Sequence, residues 1–489
     1  MTGNPAVLPE NPGHLSHISG AVLAAALAAA LSACAVGPDY VPPASAMPPA
    51  FHHAAPAGNV APPALDVWWT HFNDPQLTRI IERVLAQNLD LAAALARVEQ
   101  ARAVARVSNA ALLPVGSANA QLAEQHQSLQ SPIGKLASHQ AGYQRDATLY
   151  SAAVGASWEA DLAGGLRRGV EADSAEAQAA EADRLGVRVS VAAEAADAYF
   201  RVRGAQARMV LAADEIKADS DLLELVNLRL KEGMSTQREQ AQAEARLAQV
   251  KASIPPLRAE RDIQLNRLDV LMGVHPGTYA AEFAGAVANS VAETAIPALA
   301  VALEPADLLR RRPDVIAAER RLAASNARIG VALAEYYPKF SLSALLGFES
   351  LSSATPSAAS FQPLALVGLR WRLFDFGRVD AEVARAKGVN AEALAHYRLA
   401  MLRATEDVEN ALVTQAELDA ERYELIREVD ADVRARNSSE EAYKGGATGL
   451  SEVLEQDRQL LAARDQLARA QTGSSRAVVA TFRALGGGW

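Results

Sequence analysis

The residue best placed for covalent chemistry is Cys34, the only cysteine among 489 residues. A lone thiol cannot form an internal disulfide, a redox pair or a thiolate zinc site. It is therefore either modified or an inert buried thiol. The preceding sequence favours modification. Ile18 to Ala33 is an uncharged, mostly apolar run of 16 residues, too short for an ordinary membrane span and suited to the core of an export signal. It ends in Leu31-Ser32-Ala33-Cys34, the pattern of a bacterial lipobox, in which the thiol takes a diacylglycerol and the cysteine becomes the mature N-terminus. Acyl chains add about 0.8 kcal/mol per buried methylene to membrane binding. Before the run stand His14 and His17 but no Lys or Arg, whereas export signals usually start positively charged. Ala35, rather than Asp, follows the cysteine, as in lipoproteins that continue to the outer membrane.

Other reactive constellations are absent from the sequence. There is no His-Glu-x-x-His, no Gly-x-Ser-x-Gly and no phosphate loop with its Lys, and Gly164-Gly165 through Gly169 reads as a strand-to-helix turn. His52-His53 is a candidate metal pair, but paired histidines in a segment rich in Pro and Ala are more often solvent-exposed. No metal, cofactor or catalytic group is expected. Arg310 to Arg312 precede a helix, where arginines usually make salt bridges or cap carbonyls. A net charge of -10 argues against a nucleic-acid partner, because phosphate binding needs a basic face and the sequence shows none.

The elements that must position Cys34 come in two copies. Half of the residues are apolar but only 5% are aromatic, with Ala dominating, which favours long helices packed closely side by side. Asp90-Leu-Ala-Ala-Ala and Pro114 are matched by Asp314-Val-Ile-Ala-Ala and Pro338 at an offset of 224. Lys231-Glu-Gly233 and Val270-Leu-Met-Gly273 are matched by Lys444-Gly-Gly446 and Arg483-Ala-Leu-Gly486 at an offset of 213. The chain is a duplication. Each half starts with a helical pattern, Leu77 to Leu112 and Pro313 to Tyr336. Two alternating segments follow. Gly116 to Leu122 and Tyr150 to Glu159 do so in the first half, Phe340 to Glu349 and Ala365 to Leu373 in the second, all with the period of strands and about the length that crosses a bilayer. A soluble hairpin would alternate in the same way; the export signal favours the membrane. Four strands cannot close a barrel, and open strand edges are forbidden in lipid, so membrane strands here would require oligomerisation. Very long helices then run from about Leu166 to Leu230 and Arg378 to Tyr443. Each turns at Gly233 or Gly445-Gly446 into a second helix, Thr236 to Leu271 and Leu450 to Leu485. Pro255-Pro256 should interrupt and kink one of these.

Ordered motifs spread from residue 34 to 489 carry a family resemblance. They are Cys34-Ala-Val-Gly-Pro-Asp-Tyr40 with Pro42, Trp68-Trp69, Phe72, Asp74-Pro75 and Leu77, Asn88-Leu-Asp-Leu91, Trp158-Glu-Ala-Asp-Leu162, Arg311-Arg-Pro-Asp314, Ala323 through Gly330, Asp375-Phe-Gly-Arg378, and Ala484 to Trp489. Together they resemble the TolC/OprM-type outer-membrane efflux proteins, within them the NodT-like lipoprotein branch. The resemblance implies a mostly α fold with a membrane β-barrel portion: a homotrimer in which four strands per chain form a twelve-stranded barrel, continuous with a long periplasmic α-helical barrel. It implies a passive, non-enzymatic outer-membrane duct of a tripartite efflux system, lipid-anchored in the outer membrane. The expected partners are a periplasmic membrane-fusion adaptor protein, an inner-membrane RND transporter and outer-membrane lipid. It also implies a periplasmic aperture ringed by acidic residues, which map here to Glu239, Glu452 and Glu455. The expected organisation is a signal peptide over 1–33, a lipidated tether over 34–64, repeats over 65–274 and 304–489, and a linker over 275–303. The competing readings are the duct of a type I protein secretion system, which would use the same architecture, and a periplasmic coiled-coil adaptor lipoprotein, whose single hairpin the duplication disfavours.

Overall fold

A computed structural model describes residues 35–44, 47–53, 65–283, 305–351 and 353–489. Cys34, the expected signal peptide and most of the expected linker lie outside these residues. In chain order the main elements are α1 (Pro75–Gln87), α2 (Leu89–Ala110), β1 (Val115–His126), β2 (Asp146–Ala160), α3 (Gly165–Lys231), α4 (Gln237–Leu271), α5 (Pro313–Ala334), β3 (Lys339–Ser350), β4 (Phe361–Arg370), α6 (Arg378–Lys444) and α7 (Leu450–Ala484). They fall into two compact units. One comprises the described residues of Met1–Pro42, Gln100–Gln178 and Arg320–Ala395, the other those of Pro43–Glu99, Ala179–Glu319 and His396–Trp489.

The first unit holds an antiparallel sheet in the order β1-β2-β3-β4. Directly opposed residues share a face, so the register can be read across the sheet. Ala118 pairs with Val154 and Val154 with Leu346; Trp158 pairs with Leu342 and Leu342 with Val367. The opposite face takes Gln121, Ser151 and Glu349 in one row and Glu159 and Ser341 in another. On the apolar face Val154, Leu346 and Val367 are each more than 60% exposed. The alternation in β4 ends earlier than the sequence pattern, which ran on to Leu373. Lys339 pairs with Arg370, and Pro338 beyond it has no N–H to extend the ladder. Trp371 instead donates its indole N–H to the Tyr336 carbonyl at 3.0 Å. Trp158 does the same to Leu112 at 2.9 Å, so both repeats tie the end of the strand pair back to the helix before it. Asp161 and Asp375 accept from backbone N–H groups at the starts of α3 and α6, the shortest contact in each case being 2.9 Å.

In the second unit the duplication is equally visible. α4 and α7 both stop at a glycine of left-handed conformation, Gly273 with φ 72° and Gly486 with φ 74°. A Cβ at either would meet a backbone oxygen, that of Gln87 at 2.7 Å or that of Arg311 at 2.8 Å. The neighbouring residues close the two helix ends: Asn88 donates to the Leu271 carbonyl at 2.9 Å and Arg312 to the Ala484 carbonyl at 3.1 Å. Arg312 also pairs with Asp314 and Asp407, at 2.7 and 2.9 Å, in line with the cap-and-bridge reading of the arginine run. Asn88 has a second effect. Its extended backbone and its side-chain bond from Leu91 N at 3.0 Å divide the single helix expected over Leu77 to Leu112 into α1 and α2.

The core of this unit is aromatic. Trp68 is fully buried and stacks on Phe482 with ring centroids 5.3 Å apart. Asp74 caps α1 by accepting from Gln76 N and Leu77 N at 2.9 and 3.1 Å, and its other oxygen accepts from the buried Tyr199 hydroxyl at 2.5 Å. Burial, then the Asp74 carboxylate, push the Tyr199 phenol well above its ordinary pKa, so it stays a donor. α4 passes through Pro255-Pro256 without a break, contrary to the expected interruption. Prolines at these positions cannot donate to Lys251 and Ala252, and both of those residues are exposed, where water can satisfy the carbonyls. Asp74→Ala removes the cap and leaves Tyr199 without its acceptor, a loss of about 2 to 4 kcal/mol. Asp74→Asn, which retains an accepting oxygen, should lose less; urea unfolding followed by near-UV circular dichroism ranks the two.

Candidate functional site: the anchor seat and the helical turns

The residues just after Cys34 do not run free, although the segment reads as an extended tether. Val36 N donates to the Ala163 carbonyl at 2.9 Å. Arg168, on the first turn of α3 and only 7% exposed along its side chain, reaches the Val36 and Gly37 carbonyls, each at 3.3 Å, and Asp39 at 2.6 Å. Its remaining arm pairs with Glu171 at 2.7 Å. From α5, Asn326 donates to the Pro38 carbonyl at 2.9 Å. Gly37 has φ 98°, and a Cβ there would sit 2.6 Å from the Cα of Gly330. Two glycines thus let the two backbones touch. Tyr40 packs on Ala175, Ala323 and Ala324. The motif after the cysteine and the motif Ala323 through Gly330 are therefore two halves of one seat.

The two helical turns are near copies. Gly233 and Gly446 have φ 70° and 75°, and each turn is closed by a bond across six residues, Met234 N to Arg229 O at 2.7 Å and Ala447 N to Ala442 O at 2.8 Å. The helices that follow differ in their caps. α4 opens with a capping box: Glu239 accepts from Ser235 Oγ and Thr236 N, both at 2.8 Å, while Glu239 N donates to Thr236 Oγ1 at 3.2 Å. The Ser235 hydroxyl and the Thr236 N–H hold this carboxyl below its usual range. α7 opens at Gly449, which offers no side chain. Glu452, the counterpart of Glu239, is exposed. Glu455 lies one turn on and is gripped by Arg458 at 2.9 and 2.6 Å and by Gln459 at 3.0 Å. The Arg458 bonds, then Gln459, lower it to about 2.

The model of the family described as "Outer membrane efflux protein" matches residues 80–274 and 305–487. The chain belongs to the outer membrane efflux protein family. It is similar to the pyoverdine export outer membrane protein OpmQ of Pseudomonas putida, 33% identical over 90% of this chain and 94% of that one. It is likewise similar to nodulation protein T of Rhizobium leguminosarum bv. trifolii, 30% identical with 94% and 95% covered. Among solved structures, the outer-membrane channel OprN superposes with a TM-score of 0.84 at 32% identity, covering 93% of this chain and 100% of that one. The protein is an outer-membrane channel of an efflux system, in the family that the motifs pointed to.

Within this efflux channel the three candidate glutamates play different parts. Glu239 serves its own helix and Glu455 is neutralised by a neighbour. Of the three carboxylates, that of Glu452 alone has no hydrogen-bond or ion-pair partner among the described residues. His52 and His53 are exposed, but their backbone N–H groups bond to Glu409 at 2.6 and 3.1 Å over a buried Phe51. A buried charge cluster went unread in the sequence: Arg246 of α4 lies 2.7 Å from Glu215 and 3.4 Å from Asp219 of α3, and Arg436 of α6 lies 2.9 Å from Asp457 of α7. These partners are 21 to 31 residues apart in sequence or more, beyond any helical spacing rule.

Arg168→Ala removes the donors that hold residues 36 to 39, a local loss of about 1.5 to 3 kcal/mol. Amide exchange at Val36 is expected to quicken about 10- to 100-fold, with the amides of β2 and β3 unchanged. Mass-spectrometric hydrogen exchange on the detergent-solubilised protein reads both.

Proposed function

We propose that three copies of this chain close one twelve-stranded barrel in the outer membrane, four strands from each, and that their α3, α4, α6 and α7 build a periplasmic helical barrel. The assembly is the passive exit duct of a tripartite pump, with an RND-type transporter in the inner membrane and a periplasmic adaptor delivering small toxic compounds to it. The observation that carries this reading is the sheet itself. β1 and β4 are 12 and 10 residues long and neither has a partner along its outer edge among the described residues, while the apolar face is uncovered. No helix among the described residues is long and apolar enough to cross a membrane. Strands that enter lipid must have every backbone group paired, which only closure achieves. Both α3 and α6 have 67 residues, about 100 Å at 1.5 Å per residue, the scale of a periplasmic conduit.

The rest of the organisation belongs to the same proposal. Residues 1–33 are cleaved, Cys34 carries the acyl chains, 34–64 is the lipidated segment, and the repeats span 65–274 and 304–489 around the linker 275–303. The seat of residues 35 to 40 supports the anchor: Val36 is bonded to Ala163, three residues beyond the end of β2. At the aperture, Glu452 carries the uncompensated charge, and three copies around one axis would favour cations. Glu239 holds the start of its helix, and Glu455 contributes a neutral pair with Arg458.

Two measurements test this. In planar bilayers Glu452→Gln is expected to shift the reversal potential toward lower cation preference; an unchanged potential removes Glu452 from the aperture. Val154→Asp places a charge on the proposed lipid face, a cost of about 1 to 4 kcal/mol per strand depending on depth. It is expected to abolish heat-modifiable migration of the outer-membrane protein on gels, whereas Ser151→Asp on the opposite face preserves it.

A further inference from the structure

Five charged groups meet where α3, α4, α6 and α7 pack together: Glu215 and Asp219, Arg246, Arg436, and Asp457. The Arg246 side chain is 7% exposed and Asp219 3%. Arg246 also donates to the backbone carbonyl of Asp457 at 3.3 Å, so a single guanidinium ties the α3/α4 hairpin to α7. The surrounding groups are accounted for. Arg436 additionally pairs with Glu440 of its own helix, Glu440 is held by Lys444 at 2.7 Å, and the Glu455 carboxylate lies within electrostatic reach of Arg246.

The cluster does not balance. Three carboxylates face two guanidiniums, leaving one surplus negative charge in a place that water barely reaches, and such a charge is costly unless a proton removes it. Glu215 has Arg246 at 2.7 Å and Asp457 has Arg436 at 2.9 Å. Asp219 is the carboxylate without such a bond: its nearest cation is 3.4 Å away, and its Oδ2 and the Arg246 Nε facing it are both buried without a hydrogen bond.

We propose that a proton bound at Asp219 locks the α3/α4 hairpin to the α6/α7 hairpin, so that acidification tightens this junction and a rise in pH loosens it. Burial is the largest influence on this carboxyl and, opposed by Arg246 and reinforced by Glu215 and Asp457, pushes it up to about 6. The direction follows from linkage. The packed form holds its proton up to about pH 6, while a hydrated Asp has released it near pH 4; each step up in pH across that window and somewhat beyond favours the separated, hydrated form. This deepens the exit-duct reading and rests on the two turns forming its periplasmic aperture.

The test is the open-to-closed ratio of the full-length protein in planar bilayers at pH 5 and pH 7.5. For the wild type the ratio is expected to rise about tenfold per protomer between these values. Asp219→Asn, permanently neutral, is expected to stay mostly closed at both. Asp219→Leu replaces the amide variant if that one fails to assemble. A wild-type channel that conducts but ignores pH, or an Asp219→Asn channel that responds as the wild type does, overturns the proton lock and leaves the duct standing. Wild-type protein that never conducts at either pH overturns both.

Discussion

The N–H and C=O groups along the outer edges of β1 and β4 constrain this protein more than any other feature. In water an unpaired strand edge is a liability that charges, bulges or solvent can manage. In hydrocarbon nothing substitutes for a partner, and each unpaired group costs several kcal/mol. A sheet of four strands with an uncovered apolar face therefore has no stable arrangement in a membrane as a single copy. The channel function follows from the remedy: edges that find partners on further copies close a wall, and a closed wall has an interior. The alternating register puts polar groups such as Gln121, Ser151 and Glu349 on the face opposite Val154 and Leu346.

The duplication explains how one chain supplies two equivalent hairpins of strands and two of helices. The correspondence extends below the level of sequence motifs. Asn88 and Arg312 are chemically unlike, yet each donates to the last turn of a helix, α4 or α7, beside a glycine that could not carry a side chain. The two helical turns show the opposite case, equivalent positions with divergent roles. Thr236 gives Glu239 a capping box, whereas Gly449 offers Glu452 no side chain. The Glu452 carboxylate is left exposed because no hydroxyl stands at its cap position.

Much of this architecture could be read from the amino-acid pattern. Both long helices lie within a residue or so of their expected ends, since glycines and capping aspartates mark those ends locally. The first three strands were also visible, through their alternation. What escaped depended on contacts remote in sequence. The division of the first helix at Asn88 is set by the Leu271 carbonyl, and the end of β4 by Pro338, just before β3. The seat for residues 35 to 40 is assembled from α3 and α5, so the Pro- and Ala-rich composition of the segment gave no hint of it. Arg246 lies in a helix rich in Ala and Gln and looks like any solvated arginine; only the packing of α3, α4 and α7 buries it. Glu239, Glu452 and Glu455 were indistinguishable as letters, and their hydroxyl, absent and guanidinium partners separate them.

In the proposed barrel, β1 of one copy completes the sheet of another at β4. Within one chain these strands are separated by three spacings, about 14 Å, beyond the reach of a bismaleimide of about 8 Å. Cysteines at Ser117 in β1 and Leu364 in β4, treated with such a reagent in outer membranes, are predicted to link copies into dimers and trimers and to stop there. Cross-linking that is absent, or that continues past three copies, would contradict a barrel closed by three chains.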